Sequence, residues 1–179
     1  HETFLNSVKL NSGRRCLGYR PIDSLNNIPG QFLFRTYAEI YRSVKYMASG
    51  MVKESLLNPN SENLLTLGIF LKNAPAWIVA ENAAYYLNGV VVPLYDTLGT
   101  DTLEFIINQT ELQTIVCSSK ELKMLKHVAS LCPRLKTVIV TDQSLPIAAC
   151  VAMMNPVGIR VISMHKLERI GEAYPSPPR

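Results

Sequence analysis

Four short apolar segments recur along this chain: "LLTLGIFLK" from Leu64, "VVVPL" from Val90, "QTIVC" from Gln113 and "KTVIVTD" from Lys136. Turn formers flank each one, and stretches with helical spacing separate them. A strand with one wet face alternates apolar and polar residues, whereas a strand apolar at nearly every position is buried on both faces. The resulting order β-α-β-α-β-α-β implies an α/β fold, a mostly parallel β-sheet with helices on both faces.

The intervening stretches carry helix signals. Thr36-Tyr37-Ala38-Glu39 matches a capping box, after which Ile40, Val44, Met47 and Met51 fall on one stripe that Gly50 weakens without ending. Asn73 reads as the cap of the next helix, with Pro75 in its first turn and Gly89 at its close. Thr100 reads as a third cap, with Asp101 and Glu104 in the first turn and Leu103, Ile106 and Ile107 facing inward. Ser118 to Glu121 is a second capping box, opening a helix with Leu122, Leu125, Val128 and Ala129 on one side. Residues 1–34 read as an irregular or β lead-in, 35–142 as the βαβ-type core and 143–174 as a looser α/β extension. Residues 175–179 form a proline-rich linker. In the extension, Ile147 to Met154 reads as a buried helix or loop, "IRVIS" as a strand and His165 to Ile170 as a short helix.

With 179 residues, 47% of them hydrophobic, the chain has ample material for a sizeable core. Its net charge of +4 comes without a run of like charges, which argues against nucleic acid as a partner. Cys16, Cys117, Cys132 and Cys150 form no C-x-x-C pair and read as reduced thiols, favouring an intracellular setting. The longest apolar run, Ile147 to Met154, is far shorter than the ~20 residues of a membrane span. No signal-peptide pattern is present, and the start at His1 rather than Met reads as a missing N-terminus.

Searches for chemistry return little. None of the nine glycines builds G-x-G-x-x-G or G-x-x-x-x-G-K-[ST], so the simple dinucleotide and P-loop readings fail. His1, His127 and His165 are unclustered and suggest neither a metal site nor a Ser-His-Asp triad. Glu81 and Glu104 fit helix electrostatics better than acid–base work. Lys120, Lys123 and His127 share a helix face that suits solvent better than phosphate or a membrane head group, and Trp77, Tyr85 and Tyr86 suit packing better than a pocket wall. Asn108-Gln109-Thr110 is a glycosylation sequon better explained as a helix end. Asp96 and Thr97 follow a strand end, where ligands of open sheets gather, and Asp96 also suits an Asx turn. No catalytic, cofactor-binding or metal-ligating residue is assigned.

Longer patterns are more specific. Leu67-Gly68-Ile69 leads to Asn73-Ala74-Pro75-Ala76-Trp77, and the next strand ends Val92-Pro93-Leu94-Tyr95. This sequence resembles the N-terminal domain of long-chain acyl-CoA synthetases, members of the adenylate-forming, AMP-binding superfamily. Tyr95-Asp96-Thr97-Leu98-Gly99 is similar to the long-chain branch, where other branches usually carry an Asn-Pro-type turn. Cys16-Leu17-Gly18-Tyr19-Arg20 resembles the family's entry segment, and Ala48-Ser49-Gly50-Met51 resembles its Gly-Ser-Gly-Leu motif with Ala48 in place of the first glycine.

The resemblance implies a long-chain fatty acid:CoA ligase that uses ATP and Mg2+ to form an acyl-adenylate and then passes the acyl group to coenzyme A. The parts that do this in the family are a Ser/Thr/Gly-rich loop ending in Lys, an acidic metal ligand, a ribose-binding Asp and a C-terminal lysine. None is assignable here. The linker Pro175-Ser176-Pro177-Pro178 resembles the segment just before that loop, so the chain reads as an inactive N-terminal fragment with no ligand bound to it. Peripheral membrane association and homodimerisation are compatible with the resemblance. The alternatives are a non-catalytic binding or dimerisation module of the same superfamily, or a ligase for a different acid.

Overall fold

The computed structural model describes residues 2–21, 28–95, 97, 99–142 and 144–179. A helix α1 (Glu2–Asn11) leads into an antiparallel ribbon of β1 (Arg15–Tyr19) and β2 (Leu33–Thr36), and then into the long helix α2 (Tyr37–Lys53). A repeating unit follows: β3 (Thr66–Phe70), α3 (Pro75–Tyr86), β4 (Val90–Leu94), α4 (Thr100–Gln109), β5 (Thr114–Cys117), α5 (Leu122–Ala129) and β6 (Thr137–Val140). The chain then adds α6 (Ile147–Met154), a 3-10 turn, β7 (Arg160–Ser163) and α7 (Met164–Ala173).

The five strands β3 to β7 form one parallel sheet in the order β4-β3-β5-β6-β7. The chain moves outward from β3 to β4, then crosses back to continue from β5. Because parallel crossovers are right-handed, reversing direction moves the connecting helix to the other face. Val116 and Ile139 accordingly pack with α2, α3 and α7, while Ile115, Cys117, Val138 and Val140 pack with α4, α5 and α6. These interior strands are fully buried, as their apolar composition requires. The last two elements are continuous with the core: β7 pairs with β6, and α7 lies along α2.

Glycine makes the α2–α7 contact close. A Cβ on Gly171 would lie 1.8 Å from the Tyr46 carbonyl oxygen, and one on Gly50 would lie 2.3 Å from that of Leu167. Gly50, a cost to α2 as an isolated helix, is what lets the second helix approach.

Several local expectations change. Residues 2–11 of the expected irregular lead-in form α1, which buries Val8. Asn73 does not cap α3: the N-cap is Ala74, with no side-chain bond, and Pro75 removes one of the amides that would need a partner. At the other end of α3 Asn88, not Gly89, takes the left-handed conformation (φ 58°), while the Gly89 amide returns to the Ala84 carbonyl at 2.8 Å. Gly99 rather than Thr100 is the N-cap of α4, and Asp101 is the acidic residue of its first turn. The second capping box forms by half. Glu121 accepts from the Ser118 amide at 3.0 Å, but an intervening turn delays the helix to Leu122, so the hydroxyl is not used as its cap. Val90 to Val92 do not fill the sheet core: β4 is an edge strand, with Val90 exposed and Val91 and Val92 half-buried. Of α6, only Cys150 and Met154 are buried.

The Thr36–Glu39 box is complete, with the Thr36 amide donating to the Glu39 carboxylate at 2.6 Å. The stripe of α2 and the buried side of α5, Leu122, Leu125, Val128 and Ala129, fall where their spacing places them.

Candidate functional site

In a doubly wound sheet the loops diverge at the carboxyl ends of the strands where the winding reverses, leaving a crevice. Here that point lies between β3 and β5. A cleft of ≈ 540 Å³ opens there, lined by Phe70 at the end of β3, Lys72 and Asn73 after it, Trp77 from α3, Tyr95 after β4 and Glu121 before α5. A neighbouring cleft of ≈ 690 Å³ shares Asn73 and Trp77 and is closed on its far side by Tyr19 and Arg20 of the ribbon. The Asn-x-Pro-x-Trp motif thus sits between two openings. Pro75 and the bare Ala74 cap start α3 there, and Trp77, half-buried, stands in the first turn.

The polar groups around this edge are mostly engaged in holding loops. Glu121 accepts from the amide and the hydroxyl of Ser118. Asp142 accepts from the amides of Ser119 (3.1 Å) and Ser144 (3.3 Å), tying the loops after β5 and β6 together. Arg20 donates to the carbonyls of Gly30 (2.7 Å) and Pro29 (2.9 Å). The cleft offers an aromatic wall, an amide and a lysine at its rim, which suits binding. Ser118, whose hydroxyl donates to Glu121, is not among the residues that line it.

The four cysteines are free thiols. Burial raises the pKa of Cys16, Cys117 and Cys150 and pushes Cys132 up to about 11, so none is a ready thiolate. Among the described residues no three His, Cys, Asp or Glu side chains gather as metal ligands, and no helix is long and apolar enough to cross a membrane.

The residues singled out by sequence separate. Trp77 lines both clefts. Tyr85 is exposed and donates to Glu81 at 3.1 Å, while Tyr86 is buried and donates to the Ser176 carbonyl at 3.1 Å. Of the three, it is Trp77 that lines the two clefts described above. Glu104 is half-buried beside Cys132. Lys120 is exposed ahead of α5, and Lys123 and His127 are exposed on it. His165 is exposed at the start of α7. Asn108 and Thr110 hold the end of α4 through the Leu131 and Ile106 carbonyls. Asp96 and Leu98 lie outside the described residues, and Thr97 is exposed. Sequence reasoning passed over Lys72, Tyr95 and Glu121 as cleft residues; their position just beyond strand ends was the available signal.

Comparison with known proteins converges on one family. The profile described as "AMP-binding enzyme" matches residues 28–155. Long-chain-fatty-acid–CoA ligase 5 of Mus musculus is 29% identical over 186 aligned positions, covering 100% of this chain and 26% of the relative. The peroxisomal long chain acyl-CoA synthetase 7 of Arabidopsis thaliana is 28% identical, again over 100% of this chain and 25% of its own length. The chain therefore spans about a quarter of the length of the curated relatives it matches. Among solved structures, the A domain of carboxylic acid reductase from Segniliparus rugosus, in complex with AMP and a co-purified carboxylic acid, superposes with a TM-score of 0.76. It is 18% identical over 99% of this chain and 31% of its own.

Proposed function

The chain belongs to the AMP-binding enzyme family, and on that premise we propose that it is the N-terminal portion of a long-chain fatty acid:CoA ligase. The full-length enzyme would join a fatty acid carboxylate to the α-phosphate of ATP, releasing pyrophosphate, and then exchange AMP for the thiol of coenzyme A. Mg2+ would neutralise the phosphate charge in the first step. The observation that carries this reading is the end-to-end match, 28–29% identical across the whole chain, to proteins named for that activity.

The described residues do not themselves fit a nucleotide triphosphate with its metal. There is no glycine-rich phosphate loop in the sequence and no carboxylate cluster among the described residues. Their contribution is architectural. The sheet edge places Trp77, Tyr95 and Asn73 as one wall of a cleft, and Glu121 and Asp142 stiffen the loops beside it. The reacting groups belong to the remainder of the enzyme, and residues 1–179 alone are inactive.

The test is acid profiling of the full-length protein by fatty-acid-dependent ATP–pyrophosphate exchange. Long-chain acids are expected to give the highest kcat/KM; a preference for medium-chain or aryl acids would reject the long-chain assignment.

A further inference from the structure

The helices α4, α5 and α6 cover one face of the sheet, with α5 in the middle and packed against both neighbours. Their outer sides therefore face the same way. α6 consists of Ile, Ala, Val, Cys and Met alone, and of its residues only Cys150 and Met154 are buried. Ile147 and Val151, one turn apart, are 44% and 42% exposed, and Ala148 and Ala152 beside them are exposed too. No charged residue lies between Asp142 and Arg160 in the sequence. A surface helix ordinarily turns polar side chains to water; this one turns aliphatic ones, and no described residue covers them.

The neighbouring helix supplies charge. Leu122, Leu125, Val128 and Ala129 hold α5 to the sheet, while Lys123 and Lys126 are exposed on its outer side and Lys120 just ahead of it. The ion pairs among the described residues, Arg134–Glu111 and Arg160–Glu54, use none of the three. α5 itself has no acidic residue. Glu121 is bound to Ser118, and Asp142 to the amides of Ser119 and Ser144. The acids of α4, Asp101 and Glu104, lie across α5 from α6. A row of unpaired lysines thus borders an uncharged aliphatic helix. The cores of protein interfaces are rich in Tyr, Trp and Arg and poor in Lys and Ala. α5 and α6 show the reverse, with Lys and Ala and with no Tyr, Trp or Arg. Lysines that reach anionic head groups beside short apolar side chains that enter the acyl boundary are the chemistry of a membrane-surface helix. We propose that the outer side of α5 and α6 docks onto an anionic lipid surface, with Lys123 and Lys126 meeting the head groups and Ile147 and Val151 entering beneath them. This goes beyond the ligase reading and does not depend on it.

The test is co-sedimentation of the full-length protein with phosphatidylcholine vesicles, with and without phosphatidylserine. Binding is expected to require phosphatidylserine and to weaken as salt is added. The double variant Lys123→Gln/Lys126→Gln should bind the anionic vesicles roughly 30-fold more weakly, and Ile147→Gln/Val151→Gln should weaken binding at least several-fold. Should a variant not fold, hydrogen exchange on the unmutated full-length protein decides: the amides of α6 are expected to exchange at least ~5-fold more slowly with anionic vesicles than with neutral ones. Equal binding by the parent and both variants, or exchange that the vesicles leave unchanged, would overturn the proposal. So would a dimer, seen by sedimentation velocity without lipid, that the Ile147→Gln/Val151→Gln variant abolishes; that result would assign the face to a second copy of the chain. None of these readouts uses activity, so a protein that binds anionic vesicles through this face but activates no acid would fail the functional reading alone.

Discussion

Gly171 leaves no room for even one methyl group against the Tyr46 carbonyl, which is backbone and cannot swing aside. Gly171→Ala is therefore expected to cost about 3 kcal/mol or prevent folding, measured by urea denaturation. Thr36→Ala, which removes one half of a complete capping box, should cost only about 1 kcal/mol in the same assay. Glu168 provides a pH test. Burial raises its carboxyl above the ordinary 4.5, while a Ser43 hydrogen bond and the Arg35 and His165 charges act in the opposite direction. A raised acid pKa means that the fold disfavours the ionised form, so the contribution is favourable below the unfolded-state value and is lost as pH rises through the folded-state value. Glu168→Gln should melt higher than the parent at pH 7, with the advantage shrinking at pH 4. Of these features, the Thr36 box was legible in sequence because its partners are three residues apart. The Gly50–Gly171 crossing was not, because it joins residues that only tertiary packing brings together.

The sheet strands were legible for the same local reason: each segment is apolar along its whole length and flanked by turn formers. What periodicity could not reveal was strand order, so Val90 to Val92 read like the interior strands although β4 has a single neighbour. Cap positions shifted by one residue, at Asn73 and Thr100, because side-chain type marks a helix start only approximately. The proline-rich end is also more structured than its composition suggests. The Ser176 amide donates to Ser49 Oγ at 2.9 Å, its carbonyl accepts from the Tyr86 hydroxyl, and the Arg179 amide donates to the Tyr86 carbonyl at 3.0 Å. Residues 175–179 form a strap laid across α2 and α3. Tyr86→Phe should loosen it, raising exchange at the Ser176 and Arg179 amides several-fold at a stability cost of about 1 kcal/mol.

The whole molecule is a doubly wound sheet whose reversal point opens a cleft walled by Trp77, Tyr95 and Asn73. The Asn-x-Pro-x-Trp motif was legible as the start of the helix after a buried strand, whereas the place of Trp77 on the cleft wall was not, because periodicity favours packing for an aromatic one turn into a helix. Lys72 and Glu121 could not, because their neighbourhood depends on which strands lie side by side. We propose that these residues form a scaffold for acid activation and that the chemistry belongs to the rest of the enzyme. ATP–pyrophosphate exchange with a long-chain fatty acid, run on the full-length protein and on residues 1–179, tests it most directly. Acid-dependent exchange is expected from the full-length protein and none above blank from the 179-residue chain; exchange by the shorter chain, or its absence from the full-length protein, would contradict the scaffold role.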